Sequence, residues 1–547
     1  MSPLLVALVL AAPQAPGDDD VLMRALGEEV KRAMTLAMPG ADKPYWARAY
    51  AVTSDSFAVS ANLGALNPPS GGKELSLSTG LRVGTPKFDQ TNFSGSSSAS
   101  VRPAPSEEDV DAIRHALWLS FDGLYKASVE ALARKRAFLQ SNQVKELVDD
   151  WGKAPLEQVV QPLVPGPKVD EEAWAALVKR ASRECRSSKQ VHVCTVSLRT
   201  RHQCQRLVAS DGVRSRFCDD RFEVNVTVNG QAADGMPVGA EWRQIVTELS
   251  QFPSEAEVVS RVQAAVALLE KKLAATSPKE DYVGPVLFTA EAAPAFFLVT
   301  LAAPLSSPRD PLGSPEQGRL IDRLGKHIAV SQLTATDDPT QRTWTSPSGK
   351  VFPLAGYFPI DDDGVTPRPI TLVKEGVLQT FFMSRIPTRA VPLTNGHARG
   401  EQGSTGNLFV TTSQPQTLAA LKKRLVELAK EEDVDCGLMV SNLPARLDVR
   451  PGAQSVQLPN LPTLVHRVCA DGKEELVRGY AFKPTSSRVL KDIVGMGDDP
   501  TVLNTEQFGQ DVSAVAPSVL VRLLELNRSR DDFGKPAVLP RPTLDGR

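Results

Sequence analysis

Residues 57–83 read FAVSANLGALNPPSGGKELSLSTGLRV, and their spacing sets the fold class. Phe57, Val59, Ala61 and Leu63 alternate with Ala58, Ser60 and Asn62; Leu75, Leu77, Thr79, Leu81 and Val83 repeat the pattern. Successive side chains of a strand point to opposite faces, so period-two alternation predicts antiparallel strands with one covered face. The clusters at Asn67–Gly72 and Ser94–Ser100 supply the connections.

Upstream, Asp18 to Met38 has helical spacing, with Leu22, Leu26, Val30, Ala33 and Ala37 on one face. Downstream, Ser106 opens a long helix with Asp109 three residues later, in an arrangement like a capping box; Val110, Ile113, Leu117, Phe121 and Leu124 form its stripe. A shorter helix spans Val169 to Glu184. Three strands are expected over Val191–Arg199, Gln203–Ala209 and Phe217–Val228, and Ser254 with Glu257 caps another helix. A boundary falls near Thr276–Asp281. Beyond it come a short apolar strand, Val286–Phe288, a small-residue helix, Ala290 to Ala303, and a strand-rich remainder interrupted by one helix, Gln416 to Ala429. The expected fold class is α+β: a mixed N-terminal domain of antiparallel strands and long helices over 18–280, then a mostly antiparallel, β-rich C-terminal domain over 281–530. Residues 1–17 read as a signal peptide and short linker, and 531–547 as a polar tail.

The chain has 547 residues, 41% hydrophobic and 23% charged, which is globular and long enough for two or three domains. Lys plus Arg is 62 against 64 Asp plus Glu, a net charge of −2, and aromatics are only 6%. That balance argues against a phosphate-binding surface and against base-stacking platforms, so no nucleic-acid partner is expected. No stretch after the first dozen residues is apolar enough to span a membrane. MSPLLVALVLAA resembles a brief secretory signal, although its charged end has only the terminal amine. The expectation is export to a periplasmic or extracellular space; without a working signal, the chain is cytoplasmic. Six cysteines without close CxxC pairs agree with export. Ser210-Asp211-Gly212 reads as a hairpin loop, and centring on Asp211 sets Cys204 opposite Cys218. Cys185 and Cys194 are then the leftover pair.

Motifs that would name a chemistry are few. HExxH, G-x-S-x-G, a Walker loop and a dinucleotide fingerprint are all absent from the sequence. Asp361-Asp362-Asp363-Gly364 lacks the twelfth ligand of a calcium loop and reads as a hairpin turn. Asp337-Asp338-Pro339 reads as a turn rather than a catalytic pair. His192 and His202 lie near four cysteines, where zinc ligation competes with a strand-surface or disulfide context; the latter is the reading taken. Gly403-Ser404-Thr405-Gly406-Asn407 is an ordinary loop or a place where a peptide backbone approaches.

Several segments in order resemble the TldD/TldE (PmbA) metallopeptidase-related family. They are Leu81-Arg82-Val83-Gly84 through Phe88-Asp89 to Thr91-Asn92-Phe93, Ser210-Asp211-Gly212, Ala233-Asp234-Gly235, Gly284-Pro285-Val286-Leu287-Phe288, Thr336-Asp337-Asp338-Pro339, Asp363-Gly364-Val365, Thr405-Gly406-Asn407 and Ala516-Pro517-Ser518. The resemblance covers nearly all of residues 20–540. It implies two kinds of chain: TldD-type, with an HExxxH zinc motif and a later Cys ligand, and TldE-type, which lack the motif and pair with the first to cleave peptides or unfolded segments. The matching stretch is Ala290-Glu291-Ala292-Ala293-Pro294-Ala295, with alanine in both histidine places. Glu291 is the one retained catalytic position. It reads more readily as a solvated or helix-capping carboxylate, and neither Cys436 nor Cys469 can rescue the site alone. The resemblance therefore implies a TldE-like chain with no cofactor. Its partners would be peptide or unfolded polypeptide, and a TldD-type subunit or a second copy of itself. An autonomous exported scaffold and an active metallopeptidase with atypical ligands are the alternatives.

Overall fold

In the computed structural model the opening stretch lies in a nine-stranded sheet, counted among the described residues. Those are residues 20–102, 109–142, 147–306, 309, 311–312, 320–400, 402–443, 455–456, 458, 464–507, 509–529, 533–534, 539 and 542. The leader over 1–17, Ser106 and most of the tail over 531–547 lie outside them. The sheet is organised on Pro44–Asn62, a 19-residue strand that pairs antiparallel with Ser70–Thr85 on one side and Val193–Ala209 on the other. At about 3.3 Å per residue it is roughly 60 Å long. Val193–Ala209 turns through Ser210–Gly212 into Arg214–Gln231, and Pro237–Val246 adds the next strand.

Two of the expected strands are thus one. Val193–Ala209 runs unbroken through the polar residues Thr200 to Gln203. Each of them pairs with Pro44–Asn62 on one side and Arg214–Gln231 on the other. A ladder on both sides satisfies the backbone whatever the side chains are, so polarity there marks a change of surroundings and not a strand end.

One face of this sheet carries two separate cores. Ala47, Ala49, Ala51, Leu75, Leu77 and Leu81 pack under α1 (Val21–Ala33) and α2 (Val110–Asn142). Val59, Ala61, Val196, Leu198, Val224 and Val226 pack under α3 (Glu171–Arg183) and α4 (Glu255–Ala274). The helices start at side-chain caps: Asp20 accepts from Leu22 N, Asp109 from Ala112 N, Asp170 from Ala173 N and Ser254 from Glu257 N. Asp109, four positions before Ile113, is the cap of α2.

Among the described residues the rest of the chain forms two larger sheets and three two-stranded ones. An eight-stranded sheet includes Tyr282–Phe288, Cys436–Asn442, Leu464–Cys469 and Val519–Arg528; a six-stranded one includes Leu333–Asp337, Asn407–Thr412 and Gln510–Ala516. Tyr282–Phe288 pairs parallel with Cys436–Asn442 and antiparallel with Val519–Arg528. Val286, Leu287 and Phe288 are covered on both faces, which is why they read as a continuous apolar run. The short helix α5 (Ala292–Phe297) and the π turn Leu298–Ala302 lie in the core built with residues of both sheets. Pro294 is tolerated there because first-turn N–H groups have no intrahelical partner. α6 (Leu418–Glu431) covers Leu287, Met439 and Leu520 on the opposite side. Among the described residues no helix is long and apolar enough to cross a membrane.

Candidate functional site

Some of the segments that carried the family resemblance, those with Asp211, Asp234 and Asp363, meet at the junction between the N-terminal sheet and the second half. Arg82 pairs with Asp89 at 2.7 Å, both buried, and its guanidinium lies 3.8 Å from the centre of the Trp151 ring. Asp211 accepts from Trp46 Nε1 at 2.9 Å and from Arg385 Nη1 at 2.8 Å. Asp363 accepts from Arg385 N at 2.9 Å, and Asp234 pairs with Arg478 at 2.9 Å. The fully buried Arg82–Asp89 pair costs about 3–5 kcal/mol when one partner is removed; the Asp211–Arg385 and Asp234–Arg478 contacts, which link the two halves, are partly exposed and worth less.

The turn into α5 is the place to look for hydrolytic chemistry. Thr289 closes the preceding strand, donating its N–H to Val440 O at 2.9 Å and sharing a 2.8 Å hydrogen bond with Ser441 Oγ. Ala290 then takes a left-handed conformation, φ 47°, which costs a residue with a Cβ about 1–2 kcal/mol. Glu291 stands at the start of α5, half-buried, and makes no capping bond to the helix. Its Oε2 instead accepts from Asn442 Nδ2 at 3.2 Å. Burial pushes its carboxyl up, the charge of Glu241 adds to this, and Arg261 and the Asn442 amide oppose it.

The two alanines beside Glu291 differ. Ala290 is exposed, whereas Ala295 is 2% exposed in the core with Phe296 and Phe297. Cys436 opens the strand that ends at Asn442, six residues and about 20 Å away. It is bonded to Cys469, directly opposite it on Leu464–Cys469. Sequence reasoning left that pair open; its one signal was the even count, since two cysteines remain once the other four are joined.

The other sequence candidates are structural. Asp337 is buried and accepts from Thr405 Oγ1 and from Gly406 N; the buried His397 places Nε2 3.2 Å from its carboxylate. Asn407 Nδ2 donates to Asp338 O and Gln341 O. The loop at 403–407 therefore braces the turn at 337–341. Asp361 is buried and takes three backbone N–H groups, from Asp363, Val365 and Ala398. Its oxygens are used by the chain itself, which suits a turn and not a calcium loop.

A third region lies in the middle of the long sheet, between the two helix pairs. There a cavity of about 610 Å³ is lined by Thr53, Asp55, Lys73, the segment Pro165–Val169, His202 and Asp220. Cys204 and Cys218 are cross-strand partners joined by a disulfide, with His202 opposite Asp220 two residues along the same ladder. His202 Nδ1 is 2.7 Å from Asp220 Oδ1 and its Nε2 3.3 Å from Cys204 Sγ. Cys185 and Cys194, both fully buried, form another disulfide; His192 is exposed and is not part of the cluster around His202. On the opposite sheet face a cavity of about 270 Å³ contains Asp219, Arg201, Arg399 and Asp511. Burial is the main cause that pushes Asp219 up to about 6.

Residues 281–528 match the family described as PmbA/TldA metallopeptidase C-terminal domain. A curated relative, "Metalloprotease" from Archaeoglobus fulgidus, is 33% identical over 82 residues, and the match spans 15% of this chain and 17% of that protein. TldE from Thermococcus kodakarensis aligns with a TM-score of 0.59 at 13% identity, over 93% of this chain and 100% of the other. A candidate modulator of DNA gyrase from Bacteroides thetaiotaomicron aligns with a TM-score of 0.60 at 14% identity, over 92% and 98%. At such identities the two solved structures share the fold.

Proposed function

The chain belongs to the TldD/TldE (PmbA) family of metallopeptidase-related proteins, and from that premise we propose that it is a non-catalytic, TldE-like subunit that binds peptide and supports proteolysis by a zinc-bearing partner. The observation that carries this reading is the pair of methyl groups at Ala290 and Ala295, where the metal-binding chains of the family have imidazoles. Zinc is held by lone-pair donors, and a methyl group offers none. The residues around Glu291 do not replace them: Asn442 contacts the carboxylate, Glu241 and Arg261 act on it through their charges, and Cys436 is in a disulfide about 20 Å off. The family's zinc does not fit this site. Without bound zinc Glu291 has no metal-activated water to deprotonate.

On this reading the chain contributes peptide contacts and a subunit interface. An extended peptide adds naturally to an open sheet edge, where main-chain hydrogen bonds hold it irrespective of sequence. The partner is a TldD-type chain, with self-association as a dimer the other arrangement. Export to an oxidising space fits three disulfides. The test mixes this chain with a TldD-type partner and an unstructured peptide. Cleavage confined to the mixture and insensitive to Glu291→Gln is the expected result. Cleavage by this chain alone, abolished by Glu291→Gln, would make it the enzyme; a partner equally active without it would leave a stand-alone scaffold. Elemental analysis of the pure chain should find well under one zinc per chain at the α5 turn.

A further inference from the structure

The middle of the long sheet holds donors that the proposed function does not use. We propose that, once the Cys204–Cys218 disulfide is reduced, His202, Cys204 and Cys218 bind one zinc ion, with a water from the 610 Å³ cavity as fourth ligand. The three ligating atoms already lie within 4.8 Å of one another. The ladder produces this: His202 faces Asp220, Cys204 faces Cys218, and positions two apart on a strand share a face. All four side chains therefore point into one patch, on the helix-bearing face of the sheet, in the gap between the two helix pairs.

The histidine is oriented for the task. Asp220 is an acceptor at 2.7 Å from Nδ1, so Nδ1 carries the hydrogen and Nε2 presents its lone pair toward Cys204 Sγ at 3.3 Å. A carboxylate behind a ligating histidine fixes its tautomer and raises its basicity. Tetrahedral zinc, with Zn–N about 2.0–2.1 Å and Zn–S about 2.3 Å, sets nitrogen and sulfur about 3.5 Å apart and the two sulfurs about 3.8 Å apart. The histidine and Cys204 are near that spacing, and the two sulfurs need only part. Pro165–Val169 lies over the ring; a Cβ on Gly166 would come within 2.7 Å of His202 Cβ. The cavity beside it leaves the fourth position open to solvent, as in zinc sites that keep a water.

The chemistry balances with a dithiol as reductant. The dithiol gives two electrons and two protons to the Cys204–Cys218 bond and becomes a disulfide, leaving two thiols here. Zinc binding then releases both thiol protons to solvent. Disulfide and metal are mutually exclusive, so occupancy reports the redox state of this hairpin.

The test uses the full chain, oxidised or reduced with a dithiol under nitrogen, and Co²⁺ as the probe. The reduced chain should take one equivalent, with a near-ultraviolet thiolate-to-cobalt absorption that the oxidised chain lacks. His202→Gln should weaken binding at least tenfold, and Asp220→Asn by about 10–100-fold. Neither substitution replaces a cysteine, so the disulfide can still form and circular dichroism of the oxidised variants controls for folding. Alkylation mapping then separates this site from the other thiols: zinc should protect Cys204 and Cys218 but not Cys185, Cys194, Cys436 or Cys469. Absence of a one-equivalent complex, equal binding by the oxidised chain, indifference to His202→Gln, or protection of the other cysteines instead would each overturn the proposal.

Discussion

The turn into α5 and the middle of the N-terminal sheet are opposites. At α5 a left-handed Ala290 follows a strand and Glu291 stands at a helix start, but methyl groups occupy positions 290 and 295. In the sheet the donors are present, an imidazole, two sulfurs and a carboxylate on one ladder, without any helix motif to announce them. Chemistry thus follows the side chains that a fold brings together, and a retained backbone turn is no guide to retained activity.

The contrast can be broken most forcefully at the hairpin. The Cys204–Cys218 cross-link closes a 14-residue separation, for which chain entropy gives about 3 kcal/mol. Replacing both cysteines by serine should lower stability by that order in urea unfolding. A loss below about 1 kcal/mol would mean that the purified chain does not carry the bond.

Next is Ala295→His. The site is closed on all sides, so an imidazole overpacks it and buries a polar ring, at about 1–3 kcal/mol. Urea midpoints should fall and elemental analysis should find no zinc gained. A stable Ala290→His, Ala295→His double variant that holds one zinc would erase the distinction between the two regions.

A smaller effect is expected beneath the sheet. The carboxyl of Asp219 is raised from 3.8 to about 6, so the folded state holds its proton more tightly than the unfolded state. Its stabilising contribution is complete below pH 3.8 and is lost as pH rises through about 6. The rise is worth roughly 3 kcal/mol for a fully buried acid and about 1–2 kcal/mol for this half-buried one. Asp219→Asn should therefore be more stable than the parent at pH 7 by that amount and equal to it near pH 3.5. A constant difference across that range would show that Asp219 is not the group responsible.

The smallest change belongs to Glu291→Gln. The carboxyl is raised there too, so removing its charge should stabilise the chain slightly at pH 7, the gain fading toward acid pH. A loss above about 1 kcal/mol would instead mark Glu291 as a charge that the fold depends on.

Much of the architecture was legible as pattern. Alternation over Phe57–Leu63 and Leu75–Val83 gave the strands, and Ser254 caps its helix as its spacing to Glu257 suggests, whereas α2 is capped by Asp109, which the spacing from Ser106 places inside the first turn. The division at Thr200–Gln203 was misread because polar side chains were taken for a break in a ladder that both neighbours sustain. Asp211, Asp234 and Asp363 stood out only as turn residues; their partners Arg385 and Arg478 are more than a hundred positions away from Asp211 and Asp234. No local signal encodes such contacts.

By itself, the sequence determined the covalent facts and the short-range geometry. Methyl groups stand at 290 and 295, and a hairpin centred on Asp211 sets Cys204 against Cys218, because turn chemistry and strand period act over a few residues. Tertiary structure alone decided which face of the sheet those cysteines look into. It also decided that two helix pairs leave a cavity beside His202, and that Cys436 meets Cys469 across strands 33 positions apart. Those outcomes depend on how distant segments pack over a shared sheet, where burial of apolar area and not local propensity selects the arrangement.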